Sequence, residues 1–360
     1  MTPRRRLARA LRGPRAAGRR AGRRLAVLGL AAALGTIPAT GAAGQTQPES
    51  PVPVILDTDF GGDADDLGAL VMLLRLMDRG EAELLAVMSW STERYTVPAI
   101  DAVNRYYGHS EIPIGSRKDG LWHEPWTYGR AIVEAWGSRR TAEDVPATTP
   151  LYRRILAGRP DGSVTVVTIG PLLNLLRLLE SGPDSLSRRE GRALVAAKVR
   201  EVVIMGGEFP AGSGEWNFSG GMPGVTRAVL SALAEAGVPT TFVGYEIGVR
   251  IRTGRALNDV PPSPLSVGYR HFSEHAPWMQ AQFSGEILDN ASYDQAAVLH
   301  AVRGGVGRWW TRVDGGHVEV TGSGDNRWVP GPPILPQSYL ELTADPEELA
   351  TVIERLMLGG

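Results

Sequence analysis

From residue 53 onward, short runs of aliphatic and β-branched residues alternate with stretches whose apolar residues recur every three to four positions. Residues 54–57, 84–88, 112–114, 164–169, 202–205 and 240–243 read as strands. Residues 66–78, 97–107, 172–179, 225–236 and 294–302 read as helices, the first with Leu67, Leu70, Val71, Leu74 and Met77 on one face. The strand runs are continuously apolar rather than alternating, as expected of strands covered on both sides. This succession implies an α/β fold, a mostly parallel sheet with helices on both faces. No internal repeat and no long Pro- or Ser-rich linker divides the chain, so residues 53–360 read as a single domain. The Pro-rich patches at 261–264 and 330–336 read as surface loops.

In an open sheet of this kind, ligands bind beyond the carboxyl ends of the strands. The residues immediately after each strand therefore carry the functional signal. Asp57-Thr58-Asp59-Phe60-Gly61-Gly62-Asp63-Ala64-Asp65-Asp66 comes after the first strand, Gly170-Pro171-Leu172-Leu173-Asn174 after the fourth, and Gly206-Gly207 through Asn217 after the fifth. Five carboxylates within ten residues repel one another in a concave site. A hard divalent cation, Ca²⁺ or Mg²⁺, resolves that repulsion, and Gly61 and Gly62 permit the tight turn that folds acids around it. One Asp capping the next helix would be ordinary, but five exceed what a helix start uses.

The chain has no Cys, which excludes disulfides, thiolate metal sites and a Cys nucleophile. Its formal net charge of −1 conceals an asymmetry: residues 1–44 hold ten Arg and no acid, leaving 28 basic against 39 acidic residues, or −11, in the remainder. An acidic body lacks the footprint that nucleic-acid binding requires, so that partner class is excluded. Within residues 1–44 an Arg-rich stretch leads into an apolar run at 25–37 and then small residues, the order of an export signal. The run is shorter than the roughly 20 residues a membrane span needs. Residues 1–44 are thus expected to be a signal peptide, for the Sec or the twin-arginine route, and 45–52 a polar lead-in. The mature protein is expected to be secreted or periplasmic, without a stable membrane anchor after cleavage.

Three arrangements place Asp-x-Asp in such a loop. An EF-hand loop follows a helix and closes with Glu at its twelfth position, whereas here a strand precedes and Gly68 stands there. A Mg²⁺-dependent phosphatase of the haloacid dehalogenase type, with Asp57 as nucleophile, wants Thr or Val where Gly61 stands. The loop instead resembles that of the inosine–uridine-preferring nucleoside hydrolases, Asp-x-Asp-Pro-Gly-x-Asp-Asp-Ala-x-Ala. Phe60 replaces the Pro, and two extra residues precede the final acidic pair. Gly170 through Asn174, Val203-Ile204-Met205-Gly206-Gly207, Glu215-Trp216-Asn217 and Tyr293-Asp294-Gln295-Ala296-Ala297-Val298 are similar, in order, to further motifs of that family.

The resemblance implies a Rossmann-like fold and hydrolysis of the N-glycosidic bond of ribonucleosides to free base and ribose. It implies one Ca²⁺ held by Asp59, Asp66, Asp294 and the main-chain carbonyl of Ile169. Asp59 would double as the base that takes a proton from water activated by the metal. Asp65 would accept from the ribose 2′-hydroxyl, Glu215 and Asn217 would hold the 3′- and 5′-hydroxyls, and Asp57 would orient the loop from behind. The two-residue insertion leaves Asp63 as an alternative to Asp65. Surrounding carboxylates favour the oxocarbenium-like sugar. Where many members have His before the second metal Asp, Tyr293 stands here; a phenol with a pKa near about 10 donates a hydrogen bond but is a poorer acid for the departing base. His123, His271 and His275 lie in segments that could reach the same place.

The implied partner is a small-molecule nucleoside or riboside, and self-association into a homo-oligomer is compatible with the family. A reading from another class is a ribose- or glycan-binding protein that keeps the fold and metal without turnover. Asn174 reads as a buttress for the turn after Gly170-Pro171, Asn104 as structural, and Glu246 as a weaker site candidate. Trp122, Trp126 and Trp278 read first as core, with stacking on a base in the pocket as the alternative, and the six His show no zinc-ligand spacing.

Overall fold

The computed structural model describes residues 50–120, 125–220, 222–332 and 336–360; the expected signal peptide and most of the polar lead-in lie outside them. The main sheet contains β1 (Val52–Thr58), β2 (Ala82–Ser89), β3 (Ile114–Ser116), β4 (Val164–Ile169), β5 (Val199–Met205), β7 (Thr240–Val243), β10 (Trp310–Val313) and β13 (Gln337–Leu342). Their spatial order is β10-β13-β7-β5-β4-β1-β2-β3. All neighbours pair in parallel except β10 with β13. Two small antiparallel sheets sit beside it: β6 (Ala211–Gly212) with β11 (Gly316–Val320) and β12 (Asn326–Pro330), and β8 (Arg252–Thr253) with β9 (Asn290–Ala291).

The pleat divides each central strand between two cores. On β1, Val54 and Leu56 face one hydrophobic cluster and Ile55 the other; β4 and β5 alternate in the same way. The first cluster is covered by α1 (Ala64–Asp78), α2 (Thr96–Tyr106), α3 (Tyr128–Trp136), α9 (Tyr245–Gly248), α10 (Pro264–His275), α11 (Tyr293–Arg303) and α12 (Pro346–Leu358). The second is covered by α4 (Thr148–Ala157), α5 (Leu173–Leu179), α6 (Gly191–Lys198), α7 (Trp216–Ser219) and α8 (Val225–Glu235). The expected α/β fold with helices on both faces is the observed one.

The third strand lies two residues later than the 112–114 reading, because Gly115 and Ser116, weak strand formers, are recruited by pairing with β2. The patch at 261–264 is partly helix: Ser263 caps α10 and Pro264 opens it, a position where the missing N–H costs nothing.

α1 and α11 pack against each other. Beyond their far ends, the Arg303 guanidinium makes a two-pronged ion pair with Glu81, at 2.6 and 2.7 Å. The Glu81 side chain is only 2% exposed. Arg79 Nε donates to the same carboxylate at 3.1 Å, so removing Arg303 leaves Glu81 one partner and costs the lost charged hydrogen bonds, about 2 kcal/mol, rather than a fully stranded charge. Arg303→Leu is expected to lower unfolding free energy by about that amount in urea titrations, with Arg303→Leu/Glu81→Leu recovering part of the loss. A single variant as stable as the parent would mean the pair does not tie these helices.

Candidate active site

β2 and β3 lie on one side of β1, and β4 and β5 on the other, so the winding direction reverses between β1 and β4. Beyond the carboxyl ends of the strands at that point opens a cavity of about 750 Å³, where an open α/β sheet is expected to bind its ligand.

Asp57, near the end of β1, is buried, and both its oxygens are engaged. Tyr152 Oη donates to Oδ2 at 2.7 Å and Asn174 Nδ2 donates to Oδ1 at 2.9 Å. Thr148 Oγ1 in turn donates to Asn174 at 3.0 Å. Burial pushes the Asp57 carboxyl up to about 7 despite these donors. Asp57 therefore sits behind the loop and outside the cavity lining; Asn174, read as a buttress for the turn after Gly170-Pro171, holds the Asp57 carboxylate instead. The phosphatase alternative needs Asp57 facing substrate, so that reading is corrected.

The loop beyond it is pinned by Phe60, fully buried and edge-on to Tyr128 with ring centroids 5.1 Å apart. Tyr128 Oη also accepts from the N–H of Gly61 at 2.9 Å. Gly61 takes φ +128°, a backbone conformation that side-chain-bearing residues rarely adopt. A buried ring thus anchors a loop whose family pattern carries Pro.

Asp65 and Asp66 lie in the first turn of α1, and Asp294 in the first turn of α11. Both helix N-termini present partial positive charge to the same point. The Asp294 N–H donates to Asp65 Oδ2 at 3.3 Å. Carboxylate oxygens of Asp65, Asp66 and Asp294 lie within 4.8 Å of one another. Burial, then the neighbouring acids, push all three well above the usual carboxylate range. Thr58 donates to Asp66, and Asn290 to Asp63. Asp59 lines the same cavity, and its Oδ2 accepts from the Trp216 indole N–H at 2.7 Å. Burial lifts Asp59 to about 7. A Cβ on Gly170 would stand 2.7 Å from the Asp59 nitrogen, so only Gly lets the turn after Ile169 come this close.

Glu215 caps α7 by accepting from the N–H groups of Asn217 at 2.9 Å and Phe218 at 3.0 Å, and it also accepts from Gly207 at 2.8 Å. A carboxylate has about four lone-pair sites, so capacity remains for a ligand hydroxyl. Asn217 Nδ2 donates to the Met205 carbonyl at 3.2 Å. Both residues line the cavity, with Ile169, Asp63 and Tyr293. Tyr293 stacks on Tyr245 at 5.2 Å, and burial followed by that neighbour pushes its phenol upward, keeping it a neutral donor.

The tryptophans correct an expectation. Trp126 and Trp278, read first as core, both line the cavity, edge-to-face at 5.4 Å. Trp126 Nε1 donates to the Gly62 carbonyl at 3.2 Å, which draws its ring to the acidic loop. Trp122 and His123 lie outside the described residues. His271 and His275 stack on each other on α10 away from the cavity, and burial pushes His271 down to about 4. Asn104 and Glu246 also stand outside the lining. Sequence reasoning missed Trp90, Ser91 and Glu93 after β2, Trp216, and Tyr245 after β7. Applying the strand-end rule to β2 and β7 would have found four of these five.

The donor set is all oxygen and mostly anionic, suited to a hard divalent cation and to no soft one. Asp65, Asp66 and Asp294 could hold a metal ion; Asp59, expected as a ligand, stands outside that three-acid group, and it and Ile169 line the same cavity.

A model of the inosine-uridine preferring nucleoside hydrolase family matches residues 54–321. The chain belongs to that family. The family's enzymes hydrolyse N-glycosyl bonds. No curated protein sequence matches. Among solved structures, a plant nucleoside hydrolase is similar at 19% identity and TM-score 0.61, covering 85% of this chain and 99% of its own. The inosine-uridine preferring nucleoside hydrolase of Bacillus anthracis is similar at 14% identity and TM-score 0.59, with 86% and 100% covered. The type III effector protein XopQ, solved with adenosine diphosphate ribose, is similar at 15% identity and TM-score 0.60, with 86% and 94% covered. At these identities the structures establish the shared fold.

Without a bound cation, the crowded carboxyls of this family member keep protons that the unfolded chain releases above about pH 4. Between about pH 4 and 7 the folded state therefore binds more protons, and its stability falls as pH rises. Asp57 and Asp59 rise to about 7 and Asp65, Asp66 and Asp294 are raised as well, so the window reaches at least that far. A saturating cation replaces the protons, so the gap in Tm between Ca²⁺-loaded and metal-stripped protein should widen from pH 5 to pH 8. Surface carboxyls held low, such as Asp184 beside Arg153, act equally in both samples and cancel. Calorimetry at three pH values checks this; a constant or narrowing gap contradicts it.

Proposed function

We propose that this protein hydrolyses the N-ribosidic bond of nucleosides, releasing free base and ribose. The observation that carries the reading is the convergence of Asp65, Asp66 and Asp294 within 4.8 Å at the switch point of the sheet. Asp59, Asp66, Asp294 and the Ile169 carbonyl would hold Ca²⁺. When bound, the cation offsets the crowded charge and makes water a stronger nucleophile. Asp59 takes the proton as water attacks the anomeric carbon, and the Trp216 N–H at 2.7 Å holds its carboxylate in one orientation. Asp65, with Asp63 as alternative, accepts from the sugar 2′-hydroxyl. Glu215 and Asn217, which line the same cavity, hold the remaining hydroxyls. Tyr293 donates a hydrogen bond to the departing base.

A second reading is a binding protein without turnover. It is favoured by the same Trp216–Asp59 hydrogen bond, which engages the group assigned as base. Export to the periplasm or medium remains our proposal for residues 1–44, from their Arg-rich, apolar, small-residue order. No described helix is long and apolar enough to cross a membrane.

A nucleoside panel read by chromatography for free base and by reducing-sugar release separates the two readings. Turnover supports hydrolysis; saturable binding with no product supports the binding protein. Asp59→Asn keeps the shape and one oxygen but removes the base, so kcat is expected to fall about 10²–10⁴-fold. Most of the parental turnover surviving with Ca²⁺ bound would remove Asp59 from that role.

A further inference from the structure

Cleaving an N-ribosidic bond leaves an electron pair on the base nitrogen, and a neutral purine or pyrimidine departs as an anion unless a proton reaches it. Among the described residues lining the cavity there is no His, Lys or Arg; the two tyrosines offer only weakly acidic phenols, and Asp59, Asp63, Asp65, Asp66, Asp294 and Glu215 are assigned above to the cation, the water and the sugar. The walls are instead anionic and aromatic. Seven carboxyl groups line the cavity, more than the two charges of one divalent ion can offset. Trp126 and Trp278 meet at an interplanar angle of 82°, forming two walls of a corner, and Trp278 is 51% exposed. Tyr245, stacked on Tyr293, is 41% exposed. Indole faces attract cations, and this chain already uses one so: the Arg117 guanidinium lies 4.4 Å from the ring centre of Trp90. That engagement leaves Trp126 and Trp278 as the faces offered to a ligand.

We propose that the cavity selects N-ribosides whose base is itself an aromatic cation, a pyridinium or an N7-alkylated purinium. This substrate class rests on the nucleosidase reading above. The bond between C1′ and the ring nitrogen breaks with both electrons going to nitrogen, so the cationic base leaves as a neutral molecule with no proton added. Water supplies the hydroxyl to C1′, and its proton passes to Asp59 and then to solvent. The reaction needs no acid for the leaving group. Phosphorylated counterparts are repelled by the same carboxylates.

Two measurements on the full-length, Ca²⁺-loaded protein test this. In the first, calorimetric titration compares N1-methylnicotinamide, a cation, with neutral nicotinamide; the cation is expected to bind about tenfold tighter. In the second, kcat/KM is compared for nicotinamide riboside, its 5′-phosphate, inosine and uridine. The cationic riboside is expected to exceed inosine by about 10²-fold or more, the advantage of not needing an acid, with the 5′-phosphate far below it. Trp278→Ala should narrow the ratio between cationic and neutral ribosides. Inosine turned over as well as nicotinamide riboside would overturn the proposal. If no riboside is cleaved, the nucleosidase reading fails and the titration alone decides: tighter cation binding upholds the selection, and equal binding overturns it.

Discussion

Repulsion among buried carboxylates is the constraint around which this molecule is arranged. Two unit charges 4.8 Å apart, the span within which Asp65, Asp66 and Asp294 converge, repel by about 3 kcal/mol at an effective dielectric of about 20. Three such pairs, with Asp59 and Asp63 adding to them, are a large fraction of the stability of an ordinary domain. The fold offsets part of this with helix N-termini, since α1 and α11 each point one at the cluster. The Arg303–Glu81 pair ties the same two helices beyond their other ends. Those devices hold the acids together without neutralising them. A divalent cation would do both.

The carboxylates around the cavity carry different tasks because their surroundings differ. Asp57 is locked from behind by Tyr152 and Asn174. Glu215 is saturated on one side by main-chain N–H groups, which leaves its other side to the cavity. Asp59 alone is held by a tryptophan that is itself 43% exposed. The family motif that Glu215-Trp216-Asn217 resembles is Glu-Phe-Asn, and a Phe ring has no N–H to offer. The site of this chain therefore differs from its family pattern at the base, at the leaving-group end through Tyr293, and in the loop through Phe60.

Much of this was legible in the sequence. The continuous apolar runs named the central strands because both faces of the sheet are covered. The acids after β1 named the site because strand ends in an open sheet face a common crevice. What was not legible came from elements whose local pattern is weak. β10 and β13 close the sheet through long-range pairing that no local period announces. Trp126 and Trp278 looked like core because large apolar residues usually are; nothing local says that the Gly62 carbonyl draws Trp126 to the cavity. Trp216 was visible only as a neighbour of Glu215 and Asn217, and its bond to Asp59 spans 157 positions of chain.

The account stands on the acidic cluster being a divalent-cation site in the folded protein. Calorimetric titration of Ca²⁺ into metal-stripped protein tests this directly. One ion per chain is expected, with binding lost in Asp66→Asn/Asp294→Asn while far-ultraviolet circular dichroism shows the helices intact. A folded parent protein that takes up no Ca²⁺ and no Mg²⁺, or one whose binding survives both substitutions unchanged, would contradict it.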